Sequence, residues 1–242
     1  MTARRAATAA VVVAALAAAA VPAGAPAAQA ACSQARAPTR ALAWRAYIPA
    51  ATPVRTRAAA HTTVLSGAPS WRLVTGVTRG PGGACLLDVR LARRPNGAHA
   101  WVAASRVTTL RATRWRVEVD RAHRRATLLH AGRAVARWPV VVGKPSTPTP
   151  AGLFAVQASY RTPPSSFEGR WILALTAHSD VLATFDGGDG TVALHGRGGA
   201  SLADPLGTAA SHGCIRFDDR AIGTIVRRVG RARLPGVPVA IR

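Results

Sequence analysis

The residues best suited to chemistry lie together in residues 211–216, which read Ser-His-Gly-Cys-Ile-Arg. A cysteine thiol has an ordinary pKa of about 8.5, so little of it is thiolate at neutral pH. A nearby histidine raises that fraction, because it accepts the proton or stands beside the thiolate as imidazolium. Gly213 permits backbone angles that a side chain forbids, so the N–H groups of Gly213 and Cys214 can face a developing oxyanion. The stretch therefore predicts a nucleophile at Cys214.

Two histidines fit the role of the base that activates this thiol. His212 lies two residues before Cys214, and His195 ends a predicted strand and is followed by Gly196. Spacing alone does not choose between them, because residues distant in sequence can be neighbours in the fold. A papain-like peptidase does not fit, since those enzymes place the cysteine before the histidine and His195 precedes Cys214.

Two non-nucleophilic interpretations of Cys214 are weaker. A buried thiol is inert, but the flanking Ser-His-Gly, the following Arg216 and the upstream His-Gly favour catalysis. The second interpretation is a zinc site formed by Cys214, His195 and His212. The chain has three cysteines and no Cys-x-x-Cys pair, so a structural metal site is not expected. We expect neither a metal nor an organic cofactor.

The elements that position these residues are mostly short strands, because apolar and polar residues alternate over short runs in the second half. One helix is expected at residues 219–229, which carry an apolar stripe at helical spacing, with Asp218 or Asp219 as the N-cap. Three prolines in Lys144–Pro150 predict an ordered loop rather than a strand. The predicted strands are residues 115–119, 126–130, 135–142, 152–156, 171–175, 192–195 and 237–241.

The first half separates into two parts. Residues 31–60 are rich in Ala, Pro, Thr and Arg with little periodicity, which predicts a linker with one strand near Ala43–Ile48. Residues 61–110 alternate short apolar runs with turn clusters, and residues 94–97, Arg-Pro-Asn-Gly, are typical of a hairpin turn. The predicted strands are residues 62–65, 71–77, 85–91 and 100–107, which together suggest a small β-barrel.

The first thirty residues have the three parts of a secretory signal peptide. Arg4 and Arg5 are followed by an Ala- and Val-rich run, and residues 28–30, Ala-Gln-Ala, fit a small-x-small cleavage site. The apolar run is shorter than the roughly 20 residues that span a bilayer, and the chain has no second one, so no membrane span is expected. Residues 1–30 therefore predict export to the cell envelope.

Export changes the interpretation of the cysteines, because thiols outside the cytoplasm tend to pair. Cys32 and Cys85 can form a disulfide, which leaves Cys214 unpaired. Cys32 lies just past the predicted cleavage site, so a lipid anchor is an alternative. Gln29 argues against it, since an apolar residue is expected at that position.

The charge of the chain is strongly positive, with 32 basic and 10 acidic residues and a formal net charge of +22. Lys144 is the single lysine, which indicates a coding bias toward Arg as much as selection at each position. The hydrophobic content of 49% excludes a wholly disordered chain. A protein with this much positive charge adheres to polyanions. For an exported protein, an anionic cell-wall polymer is a better candidate partner than nucleic acid.

The motifs of the second half resemble those of the L,D-transpeptidase catalytic domain family, over about residues 113–242. The resemblance rests on residues 147–154, Thr-Pro-Thr-Pro-Ala-Gly-Leu-Phe, on Leu194-His195-Gly196 and on the Ser-His-Gly-Cys-Ile-Arg stretch. It implies a mainly β, sandwich-like fold with one clear helix. Residues 61–110 resemble a bacterial Src-homology-3-like wall module, through residues 100–107. Residues 168–170, Glu-Gly-Arg, depart from the Tyr-Gly common in this family, which predicts an unusual substrate lid between Tyr160 and Asp189.

The resemblance also implies a role for each site residue. Cys214 matches the nucleophile and His195 the general base and acid, while the Gly196 carbonyl orients the imidazole as a triad carboxylate would. His212 matches the histidine that supports the loop and the oxyanion hole. The residues expected to meet substrate are Ser211, Gly213 and Arg216, although an internal salt bridge is an equal alternative for Arg216.

The reaction implied is peptidoglycan cross-linking. The Cys214 thiolate attacks the bond after the third residue of a donor tetrapeptide stem, D-alanine leaves, and the amine of another stem's third residue resolves the thioester as a 3→3 cross-link. Water as acceptor gives an L,D-carboxypeptidase, and a non-catalytic wall-binding protein is the remaining alternative. We expect a monomer whose partners are peptidoglycan stem peptides.

Overall fold

The computed structural model describes residues 25–56, 62–65 and 67–242 of the 242-residue chain. The described part of the chain is mainly β, so the predicted fold class is confirmed. Residues 1–24 of the predicted signal peptide lie outside the described residues. Helix α1 (Ala25–Gln34) crosses the predicted cleavage site after Ala30.

The second half is built on an eight-stranded sheet that ends at the chemistry-bearing residues. Its strand order is β10-β9-β8-β17-β12-β13-β14-β16, and a separate parallel pair joins β11 to β15. The strands are β8 (Trp115–Asp120), β9 (Arg125–His130), β10 (Arg133–Pro139), β11 (Val142–Gly143), β12 (Gly152–Arg161), β13 (Trp171–His178), β14 (Thr191–His195), β15 (Ala209–Ser211), β16 (Ile215–Arg216) and β17 (Pro238–Ile241).

Helix α2 (Asp219–Val229) has the predicted bounds and the predicted cap. The side chain of Asp218 accepts a hydrogen bond from the N–H of Arg220 at 2.9 Å, which satisfies one of the free N–H groups of the first turn. The apolar stripe, which includes Ile222 and Ile225, is buried against the sheet core. Because α2 begins five residues after Cys214, its burial fixes the chain just beyond the cysteine.

The first half forms a seven-stranded sheet in the order β3-β2-β6-β5-β4-β1-β7. Its strands are β1 (Ala43–Ile48), β2 (Thr52–Arg55), β3 (Thr62–Leu65), β4 (Ser70–Arg79), β5 (Cys85–Arg90), β6 (His99–Ala103) and β7 (Thr109–Thr113). The sheet has a core of its own, with Ile48, Val89 and Val102 among its buried residues. The likeness of residues 61–110 to a Src-homology-3 module stays a prediction.

The prediction of a linker over residues 31–60 is wrong for its described part. Strand β1 lies inside the sheet between β4 and β7, and β2 pairs with β3 and β6. Strand β1 has the bounds expected from the sequence, but its partners lie about 25 and 65 residues further along the chain. The local composition carries no sign of such pairing, because strand formation depends on the partner strand more than on intrinsic propensity.

The two halves are packed against each other. Ala43 and Leu73 of the first half form a small buried cluster with Ala155 of the second. The guanidinium of Arg45, which is 5% exposed, donates to the carbonyls of Arg233 at 2.7 Å and Pro235 at 2.8 Å. These contacts set the first sheet in a defined place beside the catalytic half.

The predicted disulfide between Cys32 and Cys85 is present and ties the end of α1 to the start of β5. Ala31 packs into the core of the first sheet. Within the described part of the chain, no helix is long and apolar enough to cross a bilayer.

Candidate active site

The pairing of β14 with β16 brings the two reactive side chains together. The strands run parallel, with Leu194 opposite Ile215 and His195 opposite Arg216. Successive side chains of a strand point to opposite faces. Leu194 and Ile215 are fully buried in the core, so His195 and Cys214 lie on the other face, where both line one cavity. The pairing puts His195 on the strand beside the cysteine, which favours His195 over His212 as the base.

His195 is held by its neighbour on the same strand end. Its Nδ1–H donates to the carbonyl of Gly196 at 2.7 Å, which fixes the ring and leaves Nε2 as the nitrogen free to accept a proton. The residue is 3% exposed, and this burial lowers the pKa of His195 to about 4. Hydrogen bonds to the backbone of Gly196 and Glu168 oppose the shift but do not cancel it. At neutral pH the imidazole is therefore uncharged and able to act as a base.

Gly196 is a position where only glycine fits. A Cβ added there would collide with Oδ1 of Asp219 and approach the Glu168 carbonyl at 3.1 Å. Asp219 cannot easily move away, because the same oxygen accepts the N–H of Arg170 at 2.6 Å. The first residue of α2 thus holds the Glu168–Arg170 segment against the carbonyl that orients His195.

Cys214 is the unpaired cysteine of the three. It is partly exposed to the cavity. Desolvation raises the pKa of its thiol, and a backbone hydrogen bond with Ala193 and the charge of Arg216 oppose the shift. The two pKa shifts therefore favour a neutral thiol and a neutral imidazole at neutral pH.

The cysteine loop, residues 211–214, is stabilised by the hydroxyl of Ser211. That hydroxyl donates to the Cys214 carbonyl at 2.6 Å and accepts the Gly213 N–H at 3.1 Å. Ser211 is fully buried and does not line the cavity. The hydroxyl of Ser211 is thus used inside the loop, and the predicted contact of Ser211 with substrate stays a prediction. The Gly213 N–H is used there too, so the predicted contact of Gly213 with substrate is not available in this arrangement.

The proline loop, residues 144–150, supports the cysteine loop through hydrogen bonds from two threonine hydroxyls. The hydroxyl of Thr149 donates to the Gly213 carbonyl at 2.9 Å and accepts the Gly143 N–H at 2.8 Å. Thr147 donates to the Ser211 carbonyl at 3.2 Å. Both threonines are buried. The ordered loop expected from the prolines thus holds the turn that contains Cys214. Within that turn Gly213 has a φ of 121°, a backbone angle that favours glycine.

His212 lies at the mouth of the cavity rather than beside the thiol. The side chain is exposed, its Nε2 accepts a hydrogen bond from Lys144 Nζ at 3.3 Å, and its ring stacks on Phe185 with centroids 5.2 Å apart. His212 therefore joins the cysteine loop to the opposite side of the cavity.

Arg216 adopts the internal alternative left open by the sequence. Its guanidinium forms a salt bridge with Asp204 and lies over the ring of Phe167 at 4.8 Å. The residue is 4% exposed yet borders the cavity. Because Asp204 already pairs with the guanidinium, the predicted role of Arg216 as the carboxylate-binding residue is not supported.

The cavity in front of Cys214 has a volume of about 570 Å³. One side is formed by the strands and the cysteine loop, and the other by residues 179–190, which we call the wall loop. The wall loop contributes Leu182, Phe185 and Asp186, and the segment before β13 contributes Phe167 and Glu168. Phe167 and Phe185 are 43% and 48% exposed. In the described residues no group of three or more His, Cys, Asp or Glu could hold a metal ion.

A family model described as YkuD, L,D-transpeptidase catalytic domain, matches residues 114–241, which is more than half of the chain. The chain belongs to this family. The comparison with curated proteins returns no match.

Solved structures with similarity to the chain include three bacterial proteins. An L,D-transpeptidase of Enterococcus faecium is 20% identical over 53% of this chain and 49% of its own, with a TM-score of 0.39. Bd1075 of Bdellovibrio bacteriovorus is 18% identical over 54% of this chain and 48% of its own, with a TM-score of 0.41. An L,D-transpeptidase of Mycobacterium smegmatis is 16% identical over 81% of this chain and 94% of its own, with a TM-score of 0.41. The chain spans about half the length of the first two. At such identities the likeness concerns the fold and not the substrate.

Several residues that shape the L,D-transpeptidase site carry no local sequence signal. Asp204 lies in a segment with no recognisable motif, Asp219 shows only its place at the start of a helix, and Phe185 lies among small residues of the wall loop. Their roles depend on contacts made across the fold. Thr147 and Thr149 belong to the motif on which the family resemblance rests, which was the one available sign of their importance.

Proposed function

We propose that the protein is an L,D-transpeptidase that forms 3→3 peptidoglycan cross-links through a thioester on Cys214. The observation that carries the proposal is the shared cavity face of His195 and Cys214, with the imidazole Nδ1–H engaged by Gly196. In that arrangement the Cys214 thiol is the nucleophile, His195 is the base that activates it, and the Gly196 carbonyl orients the base, as in other enzymes of acyl transfer.

In the proposed acylation, the thiol proton of Cys214 passes to Nε2 of His195 as sulfur attacks the carbonyl of the third stem residue. The tetrahedral oxyanion is stabilised by the backbone N–H of Cys214. His195 then gives its proton to the leaving amine of D-alanine, and a thioester remains. An amine of a second stem attacks the thioester, His195 takes up the amine proton, and the thiol is restored.

The electrostatics of the cavity suit this sequence. A neutral His195 is a competent base, whereas an imidazolium would not accept the thiol proton. The lining also carries the acidic side chains of Glu168 and Asp186. They suit an acceptor that arrives as an amine, because opposite charges attract a cationic side chain before it loses its proton.

The location of the protein follows from the same proposal. Peptidoglycan lies outside the cytoplasm, and residues 1–30 predict an export signal. The net charge of +22 favours retention at an anionic wall. We propose that the first sheet serves as the module that contacts the wall and that the protein acts as a monomer.

The test is incubation of the full chain with a defined tetrapeptide muropeptide, followed by mass analysis of the products. The proposal expects cross-linked dimers and free D-alanine. Tripeptide products without dimers would replace it with the L,D-carboxypeptidase alternative. Formation of neither product by protein with a reduced and accessible Cys214 would overturn both. In a parallel assay, a carbapenem β-lactam is expected to add one drug mass to Cys214 and none to Cys214→Ala.

A further inference from the structure

The wall loop is held in place by the first half of the chain. Between β5 and β6 the chain makes a loop, residues 91–98, which we call the arginine loop. Its residues Arg94 and Asn96 reach into the second half and bond to the backbone on either side of the wall loop. These contacts are separate from the buried cluster around Ala43 and Leu73 that joins the two sheets.

Arg94 is bonded to three carbonyls of the wall loop. Its Nη1 donates to the Asp189 carbonyl at 2.6 Å, and its Nη2 donates to Ser179 at 3.1 Å and Leu182 at 2.8 Å. The guanidinium is always charged and has five donors in a fixed plane, so one side chain can gather several carbonyls. The loop fits closely around it, because a Cβ added at Gly190 would lie 2.8 Å from Arg94 Nη2.

Asn96 pairs with the chain where β13 ends. Its Nδ2 donates to the His178 carbonyl at 2.7 Å and to Asp180 Oδ1 at 2.8 Å, while its Oδ1 accepts the His178 N–H at 2.9 Å. The side-chain amide therefore bonds both backbone groups of one residue, as a neighbouring strand would. Arg94 and Asn96 together fix the point at which the chain leaves the sheet for the wall loop.

The wall loop depends on this support because much of it faces solvent. Val181 is 57% exposed and Phe185 48%. Three glycines, at positions 187, 188 and 190, add backbone freedom. Phe185 nonetheless stacks on His212, so the position of the loop is transmitted to the mouth of the cavity.

We propose that Arg94 and Asn96 are positioning residues for the reaction, and that the first half of the chain thereby assembles the substrate side of the active site. This inference rests on the proposed function. His195 lies on β14 and Cys214 lies in the cysteine loop, and the hydrogen bonds of Arg94 and Asn96 go to residues 178–189 instead. We call these hydrogen bonds of Arg94 and Asn96 the clamp. Loss of the clamp therefore weakens substrate binding and leaves the intrinsic reactivity of the Cys214 thiol unchanged.

The experiment compares Arg94→Ala and Asn96→Ala with the wild type in the full chain. Arg93→Ala is the matched control, since it removes the same charge from the adjacent exposed position. We expect Arg94→Ala to raise KM for the donor muropeptide about tenfold and to change kcat less than about threefold. Alkylation of Cys214 by iodoacetamide should proceed at the wild-type rate. Arg94→Lys should recover part of the loss, because an ammonium still donates to one or two of the carbonyls.

Hydrogen exchange gives a readout that needs no activity. In Arg94→Ala the amides of residues 179–190 should exchange faster by about tenfold, while those of β14 and α2 stay protected. The inference would be overturned if Arg94→Ala had the KM and the amide exchange rates of the wild type. It would also be overturned if exchange became faster throughout both halves of the chain, because that result indicates a merely structural role. If the wild type makes no product although its wall loop is protected, the proposed function fails and the exchange comparison with Arg93→Ala alone decides the clamp.

Discussion

The two sides of the cavity are built differently. On the strand side, His195 lies on β14 and Cys214 lies in the cysteine loop just before the parallel strand β16, and the loops are joined by hydrogen bonds within one half of the chain. The wall loop on the other side is exposed and rich in glycine, and it is held by side chains from the other half. Under the proposed function, the reactive groups lie on the buried, hydrogen-bonded side of the cavity, and the exposed wall loop is the side that meets substrate.

This difference suits the two tasks. A proton transfer and a nucleophilic attack depend on distances that must hold to a fraction of an ångström, which buried strands provide. A surface that admits and releases two peptide stems needs room to move, which a loop with few buried contacts provides. Changes on the strand side should therefore alter the chemical step, and changes in the wall loop should alter binding.

The largest effect is expected from the nucleophile. Cys214→Ala removes the group that forms the thioester, so turnover of a tetrapeptide muropeptide should fall by at least about a thousandfold. The fold should persist, because the Ser211 and Gly213 bonds of the cysteine loop are to backbone and hydroxyl groups. Product analysis by mass spectrometry, with circular dichroism as the check on folding, measures both. Residual cross-linking near the wild-type rate would show that the strand side is not where the chemistry occurs.

The next effect concerns the base. His195→Gln should lower kcat by about a hundredfold to ten-thousandfold, the usual contribution of general acid–base catalysis. In the wild type, kcat/KM should fall as the pH drops through about 4, because burial lowers the pKa of His195 to about 4 and the protonated ring no longer accepts the thiol proton. An acid limb near 6.5, the ordinary histidine value, would mean that the ring is solvated and the strand side is looser than described.

Several elements of both halves could be predicted from the sequence, because their signals are local. The helix at Asp219–Val229 and the strand at Ala43–Ile48 have the expected bounds, and the Cys32–Cys85 disulfide is present. For Ser211 and Arg216 the sequence left the use of the polar groups open or pointed to substrate, and only the packing shows that these groups are bonded internally. The wall loop and its clamp were not predictable, because Arg94 and Asn96 look like turn residues until strand pairing sets them beside residues some 85 positions away.

An intermediate effect is expected where the strand side is most crowded. Gly196→Ala puts a methyl group against Asp219 and the Glu168 carbonyl, so the strand end must shift and the orienting carbonyl with it. We expect kcat to fall by about tenfold to a hundredfold and stability to fall by about 1–3 kcal/mol. Gly223→Ala in α2 is the matched control, since its new methyl meets only the flexible end of Arg227 at 3.2 Å. Equal behaviour of the two variants in kinetics and thermal unfolding would rule out this account of Gly196.

The smallest effect should come from the wall loop itself. Phe185→Ala removes the ring that stacks on His212 and opens the cavity mouth, so KM for the donor should rise by about threefold to tenfold with kcat little changed. Phe185→Leu keeps apolar bulk without the stack and separates the two contributions. Val181→Ala serves as the control, because that exposed side chain belongs to the same loop but does not line the cavity. A loss confined to kcat would contradict the division of labour between the two sides, since it would mean that the wall loop acts on the chemical step through His212.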